Sequence, residues 1–272
     1  MKPLKILVHP VTGKIFKMGR RQPLVVAPRL HLRNYLKRGF PTPPPSITYS
    51  GKAWPSLKKI YLNDQLGDCV IAGIAHIQGV LTGNAGALEL FTDAQITRMY
   101  SDIGGYVPGD PNTDQGCDET TAFNYWQSPG FVASTNRIKG HLAVNGADAE
   151  EVRIALWLFE NISFGMNLPD AWVNPMPSSS GFVWRKTGSG DADPNNGHFV
   201  IGFGYDSTGN VNIASWGMTG LITAAAIAKY ATTASQGDTH TVLSKQAINK
   251  ATQRAPNGFD FPSLQADFAA LT

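Results

Sequence analysis

The fold is decided at residues 63–73, where the chain reads Asn63-Asp64-Gln65-Leu66-Gly67-Asp68-Cys69-Val70-Ile71-Ala72-Gly73. Asp68 is a favoured helix N-cap residue, and apolar residues recur at helical spacing beyond it, so we predict a helix that begins at or next to Cys69. A thiol at a helix N-terminus lies near unpaired backbone N–H groups and the positive end of the helix dipole, which lower its pKa. The pattern therefore indicates a candidate nucleophile, against the alternative of a buried structural cysteine.

The histidine that could serve this thiol as a base is His198. It lies in a second stretch, which reads Gly197-His198-Phe199-Val200-Ile201-Gly202-Phe203-Gly204-Tyr205. This β-patterned stretch predicts a strand. His76 follows Cys69 on the same predicted helix but stands roughly 10 Å further along its axis, so we exclude it as the base. Together, Cys69 and His198 form the pair that nucleophilic catalysis by a thiol needs.

The spacing around His198 resembles the papain-like cysteine peptidase superfamily. In that family the catalytic histidine precedes a Gly-Tyr pair by six residues, and an Asn-Ser-Trp-Gly motif begins sixteen residues after it. Here Gly204-Tyr205 has the first spacing, and Ala214-Ser215-Trp216-Gly217 stands at the second. The resemblance is nearest to uncharacterised papain-like sequences of bacteria and bacteriophages.

The resemblance implies an α+β, papain-like fold. A helical half led by the Cys69 helix would pack on a β-barrel-like half that carries His198, with a cleft between them. We expect a basic N-terminal arm with a Pro-rich spacer over residues 1–59, a papain-like domain over residues 60–250 and a C-terminal packing tail over residues 251–272. A polar insertion before His198, residues 177–196, would act as a lid or form a simple loop.

Two departures from the family pattern affect the chemistry. Where the family has an asparagine that orients the imidazole, this chain has Ala214, and Asn212 is a candidate substitute because it lies two residues earlier on the same strand face. Asn63 occupies the slot of the family's oxyanion-hole glutamine, and Gln65 competes for that role. Loss of one well-placed oxyanion donor costs on the order of 100-fold to 1000-fold in rate, so we expect slow turnover.

A third departure concerns disulfide chemistry. The chain has two cysteines, and Leu66 stands where the family has the partner of the cysteine in its Gly-Cys loop. We therefore expect Cys117 to be a small apolar filler rather than half of a disulfide. Such sparse cysteine usage favours a reducing, cytoplasmic compartment, or a virion if a bacteriophage encodes the chain.

The net charge of +3 conceals a strong asymmetry. Residues 1–63 contain 13 Lys or Arg and no acidic residue, whereas residues 64–272 contain 10 basic and 20 acidic residues. Within the basic segment, two apolar runs around Val11-Thr12-Gly13 predict a hairpin. The arm could pack across its own acidic body, anchor to an acidic protein partner in an assembly, or contact nucleic acid. We favour docking, either on its own body or in an assembly, over contact with nucleic acid, because scattered aromatic residues do not form a stacking platform for bases.

Other chemistries find little support in the sequence. Asp191, Asp193 and His198 lie close together, but no paired His or Cys completes a metal site, and we expect no cofactor. No apolar stretch approaches the roughly 20 residues that cross a bilayer, and the N-terminus lacks a signal-peptide pattern. Two functions stay open. One is a cysteine peptidase or related thiol acyl-transfer hydrolase acting on peptides or proteins. The other is a weak or inactive papain-like domain with a structural role in a larger assembly.

Overall fold

A computed structural model describes residues 3–22, 29–188 and 190–271 of the chain. Within these ranges the helices are α1 (Trp54–Leu57), α2 (Cys69–Asn84), α3 (Asp93–Gly104), α4 (Glu119–Gln127), α5 (Ala149–Phe159), α6 (Asp170–Val173), α7 (Ala224–Tyr230), α8 (Lys245–Arg254) and α9 (Phe261–Leu271). The strands are β1 (Ile6–Val8), β2 (Ile15–Lys17), β3 (Ile47–Thr48), β4 (Gly140–Ala143), β5 (Ile162–Asn167), β6 (Phe182–Trp184), β7 (Gly197–Tyr205), β8 (Val211–Ser215), β9 (Met218–Ile222) and β10 (Asp238–Leu243).

One large sheet forms the strand-rich half. Its strand order is β4-β10-β5-β7-β8-β9-β6, and β3 pairs with β7 off this path. Neighbouring strands are antiparallel except β6 and β9, which run parallel. Within the described ranges, β4 and β6 at the two ends do not pair with each other. The half that we expected to be barrel-like is therefore an open sheet.

Helix α2 is the centre of the helical half and begins at Cys69, as predicted. Asp68 occupies the N-cap position, but its side chain makes no capping hydrogen bond. The helix packs directly on β7, because Gly73 has no side chain: a Cβ there would lie 2.4 Å from the ring of Phe199. This close approach brings the start of α2 and the start of β7 to the same place between the two halves.

The segment before His198 contains more regular structure than a lid or simple loop. Strand β6 lies inside residues 177–196 and adds to the edge of the sheet beside β9. Its three residues are too few for a periodic signal, and polar residues surround them, so the sequence pattern did not predict this strand.

The two ends of the described chain pack on the body. Strands β1 and β2 form the predicted hairpin with Leu7 opposite Phe16. At the other end, α9 buries Leu264, and Asp267 accepts a hydrogen bond of 2.7 Å from the hydroxyl of Tyr35. Residues near both termini therefore contribute to the core and its cover.

Candidate active site

Cys69 is the first residue of α2 and is 2% exposed. Burial raises the pKa of its thiol to about 12, although backbone hydrogen bonds from Gly19 and Phe199 act in the opposite direction. We expected the helix N-terminus to lower this pKa, but in the structure the pKa of the buried thiol is raised. Loss of hydration destabilises the thiolate by more than the helix N-terminus and the two N–H donors stabilise it.

His198 lies near the start of β7 and shares a cavity with Cys69. The cavity has a volume of about 10 Å³, and both halves contribute to its walls. Burial lowers the pKa of His198 to about 3. The Nδ1 atom of His198 is buried and has no hydrogen-bond partner among the described residues. The structure therefore brings both predicted residues together, in neutral form and without a hydrogen bond between them.

Ser215 holds the imidazole in place. Its Oγ lies 2.8 Å from Nε2 of His198, and the neighbouring Trp216 stacks on the imidazole with ring centroids 4.5 Å apart. Because Nε2 is occupied by this hydrogen bond, Nδ1 is the nitrogen left for a reaction partner. Ser215 supplies a polar contact that Ala214 cannot make.

Asn212 does not take over this role. It pairs with Gly204 on β7, beyond an irregularity in the register between Gly202 and Gly204. The ring of His198 instead has Ser215 on one nitrogen and no described partner on the other. The hypothesis that Asn212 orients His198 is therefore wrong. Alternation along β8 correctly predicted a shared face for positions 212 and 214, but the hydroxyl came from position 215.

Of the two oxyanion candidates, only Asn63 lines the cavity with Cys69. Its Nδ2 donates to the carbonyl of Leu66 at 3.2 Å and to Oδ1 of Asp68 at 3.3 Å. Gln65 is exposed and is not among the residues that line the cavity. Asn63 therefore lies at the site, with both of its hydrogen bonds inside its own loop. Gln65 does not line the cavity.

Asp68 is a site feature that the sequence argument missed, because we had taken it only as a cap. Its side chain is fully buried, and Oδ2 has no hydrogen-bond partner among the described residues. Burial raises the pKa of Asp68 well above its ordinary value. The residue before the thiol is thus held towards its neutral form, which removes a negative charge from beside Cys69.

The basic arm passes through the cleft over the thiol. Cys117 donates its backbone N–H to the carbonyl of Gly19 at 3.0 Å and accepts from the backbone N–H of Arg21 at 2.9 Å. On the other side of the cleft, the backbone N–H of Arg20 donates to the carbonyl of Gly197 at 3.1 Å. The arm is therefore hydrogen-bonded to both halves, directly beside Cys69 and His198.

This crossing is possible only because glycines meet there. A Cβ on Gly19 would lie 1.7 Å from the carbonyl oxygen of Gly67, and a Cβ on Gly116 would lie 1.9 Å from the carbonyl oxygen of Gly19. Real Cβ atoms do not approach other atoms so closely, and both obstacles are backbone. Gly19 is thus the position at which a single methyl group would be incompatible with the closed arm.

Ion pairs join seven of the described basic residues in this segment to the acidic body. Lys17 lies 2.6 Å from Asp114, which also accepts the backbone N–H of Gly67 at 2.9 Å. Further pairs join the basic segment to the acidic body: Lys5–Asp170, Lys14–Asp64, Arg20–Glu119, Arg29–Asp238, Arg33–Glu151 and Lys37–Asp260. Of the two forms of docking that the sequence left open, these contacts are those of an arm packed on its own acidic body.

Both cysteines are free thiols, and both are buried. The backbone of Gly19 hydrogen-bonds to both: it accepts from the backbone N–H of Cys117 and donates to the thiol of Cys69. In the described part of the chain, no group of three or more His, Cys, Asp or Glu could hold a metal ion. None of the helices in these ranges is long and apolar enough to span a membrane.

Comparisons with known proteins give a fold but no close relative. No family model matches the sequence, and no curated protein matches it. Xylellain, a cysteine protease from Xylella fastidiosa, matches with a TM-score of 0.58 at 14% identity, covering 89% of this chain and 99% of xylellain. The fold is that of the papain-like cysteine proteases.

Two further structures match this papain-like fold. Digestive procathepsin L2 proteinase from the larval midgut of Tenebrio molitor has a TM-score of 0.54 at 13% identity, covering 84% of this chain and 78% of the other. Procathepsin B from Trypanosoma congolense has a TM-score of 0.53 at 12% identity, covering 83% and 86%. These sources are cellular, so they do not support the expected closeness to bacteriophage proteins. At such identities the likeness establishes the papain-like fold alone.

Proposed function

We propose that this chain is a papain-like thiol hydrolase of peptides, held in a closed form by its own residues 16–21. The observation that carries the proposal is the shared cavity: Cys69 and His198 line one space between the two halves, and Gly19 of the arm covers the thiol. A cavity of about 10 Å³ holds at most one water molecule, so a substrate can enter only after the arm has left the cleft.

Displacing the arm would reverse the electrostatics of the pair. Both shifted pKa values come mainly from burial, so solvent and substrate entering the cleft would lower the pKa of Cys69 and raise that of His198. The dipole of α2 would then favour the thiolate. A reactive pair is therefore a property that we assign to the open form only.

In the open form the reaction would follow from the positions of four groups. The proton of Cys69 moves to Nδ1 of His198, and the thiolate attacks the carbonyl carbon of a peptide bond. The backbone N–H of Cys69 would donate to the developing oxyanion, and Nδ2 of Asn63 would join it by giving up its hydrogen bond to Leu66 or to Asp68. His198 then gives its proton to the leaving amine, and water hydrolyses the thioester with His198 as base. Ser215 keeps the imidazole oriented throughout.

The alternative is a catalytically inactive domain with a structural role in an assembly such as a virion. Ala214 favours it, because the family's orienting asparagine is absent. The charge of the basic segment no longer argues for an external partner, since seven of its cations lie beside acidic residues of the same chain. Two unpaired thiols fit a reducing compartment under either function.

Gly19→Ala tests the proposal by expelling the arm from the cleft. Gly51→Ala is the matched control, because a Cβ there meets nothing within 4 Å. Alkylation by iodoacetamide is mapped to Cys69 or Cys117 by mass spectrometry. If the thiol pKa falls from about 12 to at most the ordinary 8.5, Cys69 alkylation near neutral pH rises by about 1000-fold in Gly19→Ala and stays unchanged in Gly51→Ala.

His198→Ala in the Gly19→Ala chain separates the two functions. A reactive pair loses most of the gained alkylation rate when the imidazole is removed, and Gly19→Ala also hydrolyses a peptide library that the unsubstituted chain leaves intact. Alkylation that is fast merely because the thiol is exposed, and that ignores His198, would support the inactive structural domain instead.

A further inference from the structure

The arm places one arginine in a buried pocket of the cleft. The side chain of Arg20 is 1% exposed, although the neighbouring Arg21 is exposed to solvent. Burying a guanidinium is costly unless it is paired and hydrogen-bonded, so the pocket must supply partners in fixed positions.

Each nitrogen of the Arg20 guanidinium has a hydrogen-bond partner. Nε donates to Oε2 of Glu119 at 3.0 Å, and Nη2 donates to Oε1 at 2.7 Å, which is a bidentate contact. Nη1 donates to the carbonyl of Gln236 at 2.7 Å. Nη2 also lies 3.7 Å from the carboxylate of Asp238. These partners come from both halves of the cleft: α4 on one side, and β10 with the turn before it on the other.

Room for the guanidinium comes from a glycine on β5. A Cβ on Gly165 would lie 2.3 Å from Oε1 of Glu119 and 2.8 Å from Nε of Arg20. Any other residue at position 165 would therefore displace this ion pair. The pocket is shaped by missing atoms as well as by charge.

The charges in the pocket balance only while an arginine is bound. Arg29 lies against Asp238 as well, so the buried cluster holds two guanidinium groups and two carboxylates. When residues 16–21 leave the cleft and Arg29 stays on Asp238, the carboxylate of Glu119 has no partner. An uncompensated buried charge strongly favours a replacement cation.

We propose that this pocket recognises an arginine side chain of a peptide substrate, with residues 17–22 of the arm acting as an internal mimic. That the bound peptide is a substrate rests on the proposed function. Recognition of the arginine requires only that a peptide binds in the cleft. The backbone of the mimic fixes the place: Gly19 contacts the thiol, and Arg20 bonds to Gly197 beside His198. The recognised arginine therefore lies within one or two residues of the bond that Cys69 attacks.

The geometry selects arginine over lysine. A planar guanidinium can satisfy both oxygens of Glu119 and the carbonyl of Gln236 at once, whereas an ammonium is a compact point charge. Neutral citrulline has nearly the same shape as arginine without the charge. It is the ligand that separates fit from charge.

The experiment measures binding of a labelled peptide with the sequence of residues 17–22 to the full Gly19→Ala chain by fluorescence anisotropy. The chain's own arm is excluded by its new methyl group, while the peptide keeps its glycine. We expect citrulline in place of the arginine that corresponds to Arg20 to raise Kd by at least about 10-fold, because a bidentate charge-assisted contact is lost. Citrulline in place of Arg21 is the matched control and changes Kd by no more than about 2-fold.

Glu119→Gln in the same chain completes the test. It weakens binding of the unmodified peptide and leaves binding of the citrulline-20 peptide nearly unchanged. Equal Kd values for the three peptides, or no binding by a chain whose Cys69 is demonstrably exposed, would overturn the inference. Arginine preference with an unreactive thiol would instead overturn only the proposed function, and the binding assay also works in Cys69→Ala.

A second variant serves if Gly19→Ala does not fold. Arg20→Ala leaves a vacancy of guanidinium shape beneath the arm, which millimolar methylguanidinium can fill. Its Tm then rises with methylguanidinium and not with methylammonium, while Arg21→Ala shows no such difference. The same response of both variants to the two ions would contradict a selective pocket.

Discussion

Two buried polar pairs lie where the arm crosses the cleft, and although burial disfavours charge in both, only one of them is ionised. At Cys69 and His198, burial raises the thiol pKa to about 12 and lowers the imidazole pKa to about 3, so both are neutral. Burial is also the largest single influence on Arg20 and lowers its pKa, but the contacts with Glu119 and the charge of Asp238 together raise it above its ordinary value, and the guanidinium stays charged. The difference is contact: Arg20 and Glu119 are hydrogen-bonded in bidentate fashion, and the thiol and imidazole are not joined.

One segment can therefore keep the Cys69–His198 pair neutral while it forms the Arg20–Glu119 ion pair. The arm supplies Arg20 to the acidic pocket and, with the same residues, excludes water from Cys69. Stability of the closed form is thereby coupled to the absence of reactivity. Breaking either contact should change the other.

The largest effect is expected from Arg20→Ala. Removing one partner of a buried ion pair costs about 3–5 kcal/mol, because Glu119 is left charged and unpaired. The free energy of opening the arm should fall by a similar amount, read from the Cys69 alkylation rate relative to the open Gly19→Ala chain.

Two comparisons make the Arg20→Ala result decisive. Arg21→Ala, at the exposed neighbour, should stay within about 0.5 kcal/mol of the unsubstituted chain. Glu119→Gln added to Arg20→Ala should recover part of the loss, since it removes the unpaired charge. A loss from Arg20→Ala no larger than that from Arg21→Ala would show that the pocket does not hold the arm.

Ser215→Ala sharpens the catalytic side of the comparison. Without the hydrogen bond to Nε2, the imidazole loses its orientation, and we expect the activity of the open Gly19→Ala chain to fall by about 100-fold. Ser215→Thr keeps a hydroxyl and should retain most of the rate. The pH profile of alkylation is the second readout, because a mere packing defect would lower the rate without moving the profile. Equal activities of the serine and alanine chains would remove Ser215 from the mechanism.

The sequence predicted the local structure around Cys69 and His198 and most of the neighbouring elements, because spacing and periodicity are local signals. It placed Cys69 at a helix start and His198 on a strand, and both are observed. Contacts between distant glycines leave no such signal, so the path of Gly19 over Gly67 could not be predicted. The charge asymmetry favoured docking on the acidic body or in an assembly, and it did not identify the cleft as the place where the basic segment lies.

Side-chain electrostatics escaped the sequence for a different reason. The helix N-terminus at Cys69 is a local property, whereas burial of the thiol depends on the arm and on β7. Likewise, strand alternation favoured Asn212, but the partner of His198 is chosen by which polar atom reaches the ring, and that atom belongs to Ser215.

Stability should fall as the pH is lowered from 6.5 towards 4. Burial lowers the pKa of His76 and His141 to about 4 and that of His198 to about 3. At pH 5 the unfolded chain is therefore protonated at these histidines and the folded chain is not. Each histidine lowers the free energy of unfolding by about 2 kcal/mol at pH 5 relative to neutral pH. Asp68 acts in the opposite direction, because its raised pKa lets the folded chain bind the extra proton.

Urea unfolding at pH 7.5 and pH 5 measures this dependence. His76→Gln should reduce the difference between the two pH values, whereas substitution of the exposed His31 by glutamine serves as the control. Unfolding free energies that do not change between these pH values would contradict neutral buried histidines.

The smallest effect is expected at the rim of the arm. Lys14 is 56% exposed on its side chain and lies 3.6 Å from Asp64, so Lys14→Ala should change the opening free energy by no more than about 1 kcal/mol. The effect should shrink further at high salt. If Lys14→Ala opened the arm as far as Arg20→Ala, net charge rather than the buried pocket would hold the arm.

The most direct test of the central claim is a titration of the Cys69 thiolate by its ultraviolet absorbance, with the corresponding Cys69→Ala chain subtracted. In the unsubstituted chain we expect no thiolate at neutral pH, because the buried thiol has a pKa of about 12. In Gly19→Ala we expect a thiol pKa below the ordinary value of about 8.5, and we expect the pKa to rise again when His198 is also replaced by alanine. A Gly19→Ala thiol whose pKa is at or above the ordinary value and does not depend on His198 would contradict a reactive pair held closed by the arm.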